Sequence, residues 1–180
     1  MRKLFIAHFD REVRVLGMGE RYVTDRDEGI GVVVGGCLTT CLYEEGTGVG
    51  GMNHFLVPTD FLDEEFIISP AARFGMYAME LLLGDLIKLR IQRERLRIKV
   101  FGGADLAAGA GLGARNLRFI KSYLELEGIP VTATDLGGSS PRKVLFFPKT
   151  GRVLVKKMST ETGRIAEAEE AFRQRAVVEL

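Results

Sequence analysis

Cysteine is scarce in this chain: two in 180 residues, at positions 37 and 41. Two thiols do not make a disulfide framework, which excludes the small disulfide-stapled secreted class. Long apolar runs are missing too. None exceeds about five residues, far short of a membrane span. The opening "MRKLFIAHFDRE" carries too short an apolar run for a signal peptide, and acids follow at once. A basic excess is absent: 25 Lys and Arg stand against 24 Asp and Glu, for a net charge of +1. A nucleic-acid binder of this size would show a basic patch or stripe. The richest basic run, "KLRIQRERLRIK", is broken by Glu94 and by alternating apolar residues, and reads as a solvated helix end leading into a strand. Repeats and low-complexity segments are also lacking. The expectation is a cytoplasmic protein with reduced thiols, no nucleic-acid partner and no membrane insertion.

What is present is the balance of a folded globular chain, 46% apolar and 27% charged. The length suits one domain over 1–180 with a sizeable core. The part up to about Pro58 reads as strands and tight turns. Ile30 to Gly35 is a short apolar run closed by glycines, as in a buried strand. "GGMNHFLV" alternates, so Met52, His54 and Leu56 share one face and Asn53, Phe55 and Val57 the other. "SPAARFGMYAMELLLGDLIKLR" reads as a helix. Ser69 is its candidate cap, Pro70 its first residue, and Phe74, Ala78, Leu81, Leu82 and Leu89 its apolar stripe. Leu96 to Phe101 is β-rich and ends at Gly102 and Gly103. A second helix is expected from about Ala114 to Glu127, with Leu117, Ile120 and Leu124 on one face and Gly128 closing it. Three strands follow: Ile129 to Thr134, Lys143 to Phe147 and Arg152 to Lys157, the last two joined by the turn "PKTG". From about residue 160 the tail is charged, with Ile165, Ala168 and Phe172 at helical spacing. Such a tail is a partner-docking helix, a surface helix or a frayed end. Strands outnumber helices without regular alternation. This favours an α+β fold, a layered α/β sandwich of mixed strands with two main helices.

Three kinds of chemistry compete for the few reactive side chains. "GAGLGA" (Gly109 to Ala114) fits a dinucleotide fingerprint, with Asp135 beyond it, but "ADLAA" separates it from the preceding strand, so a glycine loop opening the second helix fits better. Zinc would need four ligands. Cys37, Cys41 and His54 give three, and only His8 or a carboxylate remains to complete the set. The third reading is a cysteine nucleophile. Cys37 follows an apolar strand and two glycines. If "LTTCLY" begins a helical turn, the helix dipole favours its thiolate. Backbone N–H groups at Gly36 and Cys37 would form an oxyanion hole, and His54 would supply the base. Cys41 is more simply a buried apolar residue. Against all three stands plain packing, the commoner fate of a Cys and a His in apolar segments.

The ordered motifs narrow the choice. "GGCLTTCLYEEGTGVGGMNHFLVP" resembles the chemoreceptor glutamine deamidase family, CheD, which carries a G-[SG]-C segment and then G-x-x-x-H-x-x-x-P. The resemblance continues through "YAMELLL", "FGGADL", "GLGARN", "GIPVTATDLGG", "RKVLFF" and "TGRVLVKK", from about Val15 to Lys157. It implies an α/β sandwich similar to toxin deamidase domains, hydrolysing receptor glutamine side chains to glutamate with release of ammonia. It implies Cys37 as nucleophile and His54 as general base and acid, with no metal or organic cofactor. Implied partners are chemoreceptor helices and a CheC-type phosphatase. Gly36, Thr39, Asn53, Arg115 and Asn116 are the candidate oxyanion or substrate contacts, and Gly102 and Gly103 are expected to border the cleft. One feature departs from the family pattern. The threonine usual five or six residues before the nucleophile is replaced by Val32 and Gly31, leaving a backbone carbonyl, Thr39 or Thr40 to orient His54. The departure also keeps a second reading open, a chemotaxis binding or regulatory protein with weak or no catalysis.

Overall fold

A computed structural model of the chain describes residues 1–58, 70–106, 111–159 and 162–178. Two five-stranded sheets pack face to face, and two helices cover the outer face of one of them. The first sheet contains β1 (Arg2–Ile6), β2 (Arg11–Val15), β4 (Gly29–Val34), β9 (Arg142–Phe147) and β10 (Arg152–Lys157), side by side in that order. The second runs β3 (Arg21–Thr24), β6 (Gly50–Phe55), β5 (Leu38–Glu44), β7 (Leu96–Gly102) and β8 (Val131–Leu136). Both sheets are mixed: β2 with β4 and β7 with β8 pair parallel, and the other neighbours antiparallel. This is the layered α+β architecture expected from the sequence.

Side-chain alternation sorts the strands into two apolar layers. Between the sheets lie Ile30, Val32 and Val34 of β4, Val144 and Phe146 of β9, Cys41 and Tyr43 of β5, and Met52 of β6. On the opposite face of the second sheet, Leu38, Leu42, Phe55, Ile98 and Val100 pack under α1 (Pro70–Lys88) and α2 (Leu112–Glu127). Met52 and Phe55 therefore face different layers, as their two-residue period requires. Gly75 lets α1 approach α2, since a Cβ there would meet the Phe119 ring at 2.6 Å.

Several expectations shift. "LTTCLY" is not a helical turn. It forms β5, paired on both sides, with Leu38 opposite Phe55 and Gly102. The β-branched Thr39 and Thr40 fit a pleated, doubly buried strand better than a helix start. Pro70 does open α1, and Ser69 lies outside the described residues. The buried stripe of α1 is Met79, Leu82, Leu83 and Leu86, while Leu89 lies past the helix end and is exposed. Helix α2 begins at Leu112, two residues earlier than expected, and buries Phe119 and Tyr123 beside Ile120. Gly128 closes it in the left-handed conformation, donating to Leu124 O at 3.1 Å. Strands β8 to β10 fall within one or two residues of expectation. The charged tail is a third helix, α3 (Thr162–Val178). Its inward face is Ile165, Ala166, Glu169 and Ala176, with Phe172 half-buried, whereas Ala168 is exposed. No helix among the described residues is long and apolar enough to cross a membrane.

Candidate active site

The chain crosses from the first sheet to the second through a three-residue bend, Gly35 to Cys37, between β4 and β5. The bend is held from behind. Gly35 O accepts from Ala104 N at 2.8 Å, Gly36 O from Asn116 Nδ2 at 3.0 Å, and Cys37 O from Gly103 N at 2.9 Å. A trans peptide points its N–H opposite to its C=O. Fixing the Gly35 and Gly36 carbonyls therefore aims the Gly36 and Cys37 N–H groups the other way. With the Gly35 N–H they form a concave nest of backbone donors, a ready anion site. Gly102, at φ +117°, lets β7 close against the bend: a Cβ there would lie 2.1 Å from Cys37 O.

His54 arrives from β6, opposite Thr39 in the pairing of β5 with β6. Its side chain shares the inter-sheet face with Met52. The Cys37 sulfur, a His54 ring nitrogen and a Glu169 carboxylate oxygen all lie within 4.8 Å of one another, and all three residues are buried. Glu169, from α3, fills the nest. Gly35 and Cys37 N–H donate to its Oε1 at 2.8 and 3.2 Å, and Gly36 N–H donates to its Oε2 at 2.8 Å. Beside these residues a cleft of about 470 Å³ runs between the β2–β3 loop and α3, bordered by Leu16, Gly17, Met18, His54, Ile165 and Glu169.

Burial and charge set the protonation states. Burial pushes the Cys37 thiol well above its usual range, and the Glu169 charge and contact push it further. Burial pulls His54 down to about 4. The Gly17 backbone and the Glu20 carboxylate favour its charged form but do not offset burial, and neither ring nitrogen has a hydrogen-bond partner of regular geometry among the described residues. Both groups are thus neutral at pH 7. Cys41 is fully buried between the sheets, and burial raises its thiol as well.

The remaining candidates separate. Gly36 belongs to the nest. Asn116 lies behind it: besides holding Gly36 O, its Nδ2 donates to Leu112 O at 3.0 Å and its Oδ1 accepts from Val57 N at 2.8 Å. Arg115 reaches the Pro58 carbonyl at 3.4 Å. Asn53 faces the helices, away from His54, and accepts from Thr40 N and Oγ1 at 3.0 and 2.7 Å. The Thr39 hydroxyl donates to Asn53 O at 2.6 Å. Both threonine hydroxyls donate to Asn53, and neither is hydrogen-bonded to the imidazole. Glu169 is the residue that sequence reasoning missed. It lies four residues after Ile165 and three before Phe172, so the helical period already placed it on the inner face.

A Cys, His and carboxylate set suits zinc chemically. Here both Glu169 oxygens already accept backbone N–H bonds, and among the described residues no fourth His, Cys or carboxylate joins the cluster. The arrangement is better matched to acyl chemistry: a thiol, a neutral imidazole within 4.8 Å of it, and three backbone donors converging on one carboxylate, two of them on a single oxygen.

A family model described as CheD chemotactic sensory transduction matches residues 56–157. The chain is 45% identical over 176 residues to a probable chemoreceptor glutamine deamidase CheD of Burkholderia vietnamiensis, covering 96% of this chain and 72% of that protein. It is 44% identical over 153 residues to a protein of the same description from Herminiimonas arsenicoxydans, covering 83% of this chain and 75% of the relative.

Proposed function

The chain belongs to the CheD family, and from that premise we propose that it hydrolyses side-chain amides of chemoreceptor glutamines to glutamate and ammonia, with Cys37 as nucleophile and His54 as acid and base. The observation that carries this reading is the convergence of the Cys37 sulfur and a His54 ring nitrogen within 4.8 Å, beside three backbone N–H groups that bond the two oxygens of the Glu169 carboxylate. The substrate amide oxygen takes the place of that carboxylate. Cys37 gives its proton to His54 and its sulfur bonds to the amide carbon. The Gly35 and Cys37 N–H groups, which share one Glu169 oxygen, take up the negative charge that develops on the substrate oxygen. The imidazolium returns the proton to the departing nitrogen, and ammonia leaves a thioester on Cys37. Water entering along the cleft beside His54 hydrolyses it, and His54 again moves the proton. Each step uses groups of this chain and no cofactor.

The proposed substrate is a receptor helix in the cytoplasm, and a CheC-type phosphatase is a proposed second partner. The test is ammonia release from a purified receptor cytoplasmic fragment. The expected result is release by the wild-type chain and none by Cys37→Ala at unchanged stability. Undiminished release by that variant would sink the assignment of the nucleophile. A second reading, a receptor-binding regulatory protein with little catalysis, draws on the full burial of Cys37 as a neutral thiol. It predicts receptor binding without ammonia release.

A further inference from the structure

Helix α3 places a glutamate side chain where the proposed chemistry needs a substrate. Glu169 is 3% exposed, accepts three backbone N–H bonds and lies within 4.8 Å of the Cys37 sulfur. While it is there, no substrate carbonyl can enter the nest. Glutamate is also the product of glutamine hydrolysis, and here it is presented from a helix. The seat is shaped for one. A Cβ on Gly35 would meet Ile165, Glu169 and Leu106 at 2.7 to 3.1 Å, so the bare backbone there lets α3 approach. Ala166 packs with Ala104 and Leu106. Phe172 rests over Gly19, where a Cβ would lie 3.1 Å from its ring. Arg173 donates to the Pro58 carbonyl at 3.3 Å.

We propose that α3 is an internal product analogue: it fills the groove that receives a substrate helix, and Glu169 stands where a receptor glutamine presents its side chain. The inference rests on the Cys37–His54 reading for its chemistry, while the occlusion itself needs no catalysis. The enzyme is closed until α3 leaves, and a glutamine-bearing helix and α3 compete for one seat. Burial under α3, and after it the Glu169 charge, keep Cys37 protonated.

Two measurements on the full chain test it. The first is alkylation of Cys37 by iodoacetamide, read by peptide mass, in the wild type, Glu169→Ala and Ala166→Asp. Both variants should react at Cys37 about tenfold faster or more than the wild type, because reactivity follows thiolate fraction and access. Cys41 should stay unlabelled as the check on the fold. Equal Cys37 rates in all three proteins would overturn the occlusion. The second is Glu169→Gln, which sets a carboxamide against Cys37. The Cys37 sulfur should bond to its Cδ, the C–N bond should break with ammonia carrying off the proton from His54, and water should release the thioester as an acid. Position 169 should therefore turn back into glutamate in the purified protein, and adding Cys37→Ala should stop it. A carboxamide that persists at 169 while the same preparation deamidates a receptor fragment overturns the product-analogue assignment. If neither amide is hydrolysed, it is the functional reading that fails, and the alkylation rates still decide whether α3 occludes the site.

Discussion

Acidification should reach this fold through His54 before it reaches most of its carboxylates. The imidazole is 3% exposed, and burial holds its pKa at about 4, against 6.5 for a free histidine. Between those values the unfolded chain binds a proton that the folded chain refuses, so stability rises with pH across the window and falls as pH drops through it. At about 1.4 kcal/mol per pH unit, the whole window of about 2.5 units is worth about 3.5 kcal/mol, roughly 300-fold in the folding equilibrium. Below about 4 the imidazole contributes no further loss. Asp27, Asp85, Asp135, Glu20 and Glu28 also have lowered pKa values, but their stabilising effect is lost only as pH falls below the ordinary carboxylate range. The perturbation is His54→Gln, which keeps the approximate volume and removes the titration. Urea denaturation at pH 7 and pH 4.5 supplies the comparison. The wild type should lose about 2–3 kcal/mol more than the variant between those two conditions, the carboxylate losses being common to both. Identical losses in the two proteins would refute the claim that His54 is held neutral by burial.

Other consequences can be measured separately. Asn116→Leu leaves the Val57 N–H and Gly36 C=O without their partner, and should cost about 2–6 kcal/mol in urea denaturation, at about 1–3 kcal/mol per orphaned buried group; a loss under about 0.5 kcal/mol would show that water or relaxation replaces the bonds. The same variant should lower kcat for ammonia release more than it raises KM, because the Gly36–Cys37 peptide is no longer held from behind. Gly102→Ala should destabilise by about 2 kcal/mol or more, since φ is +117° and the Cβ would strike the Cys37 carbonyl; a thermal midpoint equal to wild type would contradict this. Cys41→Ala should leave ammonia release within about twofold of wild type at a small stability cost, consistent with a packing role, and a large activity loss would reopen the assignment of the two cysteines.

The alternation of "GGMNHFLV" was sufficient to put His54 and Met52 on one face and Phe55 on the other, because period-two patterning is a local property of an extended chain. The helices at 70–88 and 112–127 were legible for the same local reason, although their buried stripes turned out rotated. The stripe depends on what each helix packs against: Gly75 and Phe119 bring α1 and α2 together, and that contact is not local. "LTTCLY" leaves the helical turn only a condition, because two threonines and a cysteine are compatible with either a helical turn or a strand. Sheet pairing on both sides decides it, and pairing cannot be seen in a single segment. Glu169 was the deepest omission. A glutamate in a charged tail reads as a solvated surface residue, and only the tertiary fold brings its carboxylate to three amide groups more than 130 residues away in sequence. The role of Asn116 was hidden similarly. Its amide was expected to touch substrate, yet its bonds hold the backbone that would do so.

The central claim is that Cys37 becomes covalently acylated by a receptor glutamine. Acid quench of the wild-type chain reacting with a receptor cytoplasmic fragment, followed by intact mass and peptide mapping, tests this directly. The expected species is an adduct of enzyme and fragment less ammonia, mapped to Cys37, with no adduct for Cys37→Ala. Conversion of glutamine to glutamate by Cys37→Ala at the wild-type rate, with no adduct at any stage, would contradict it.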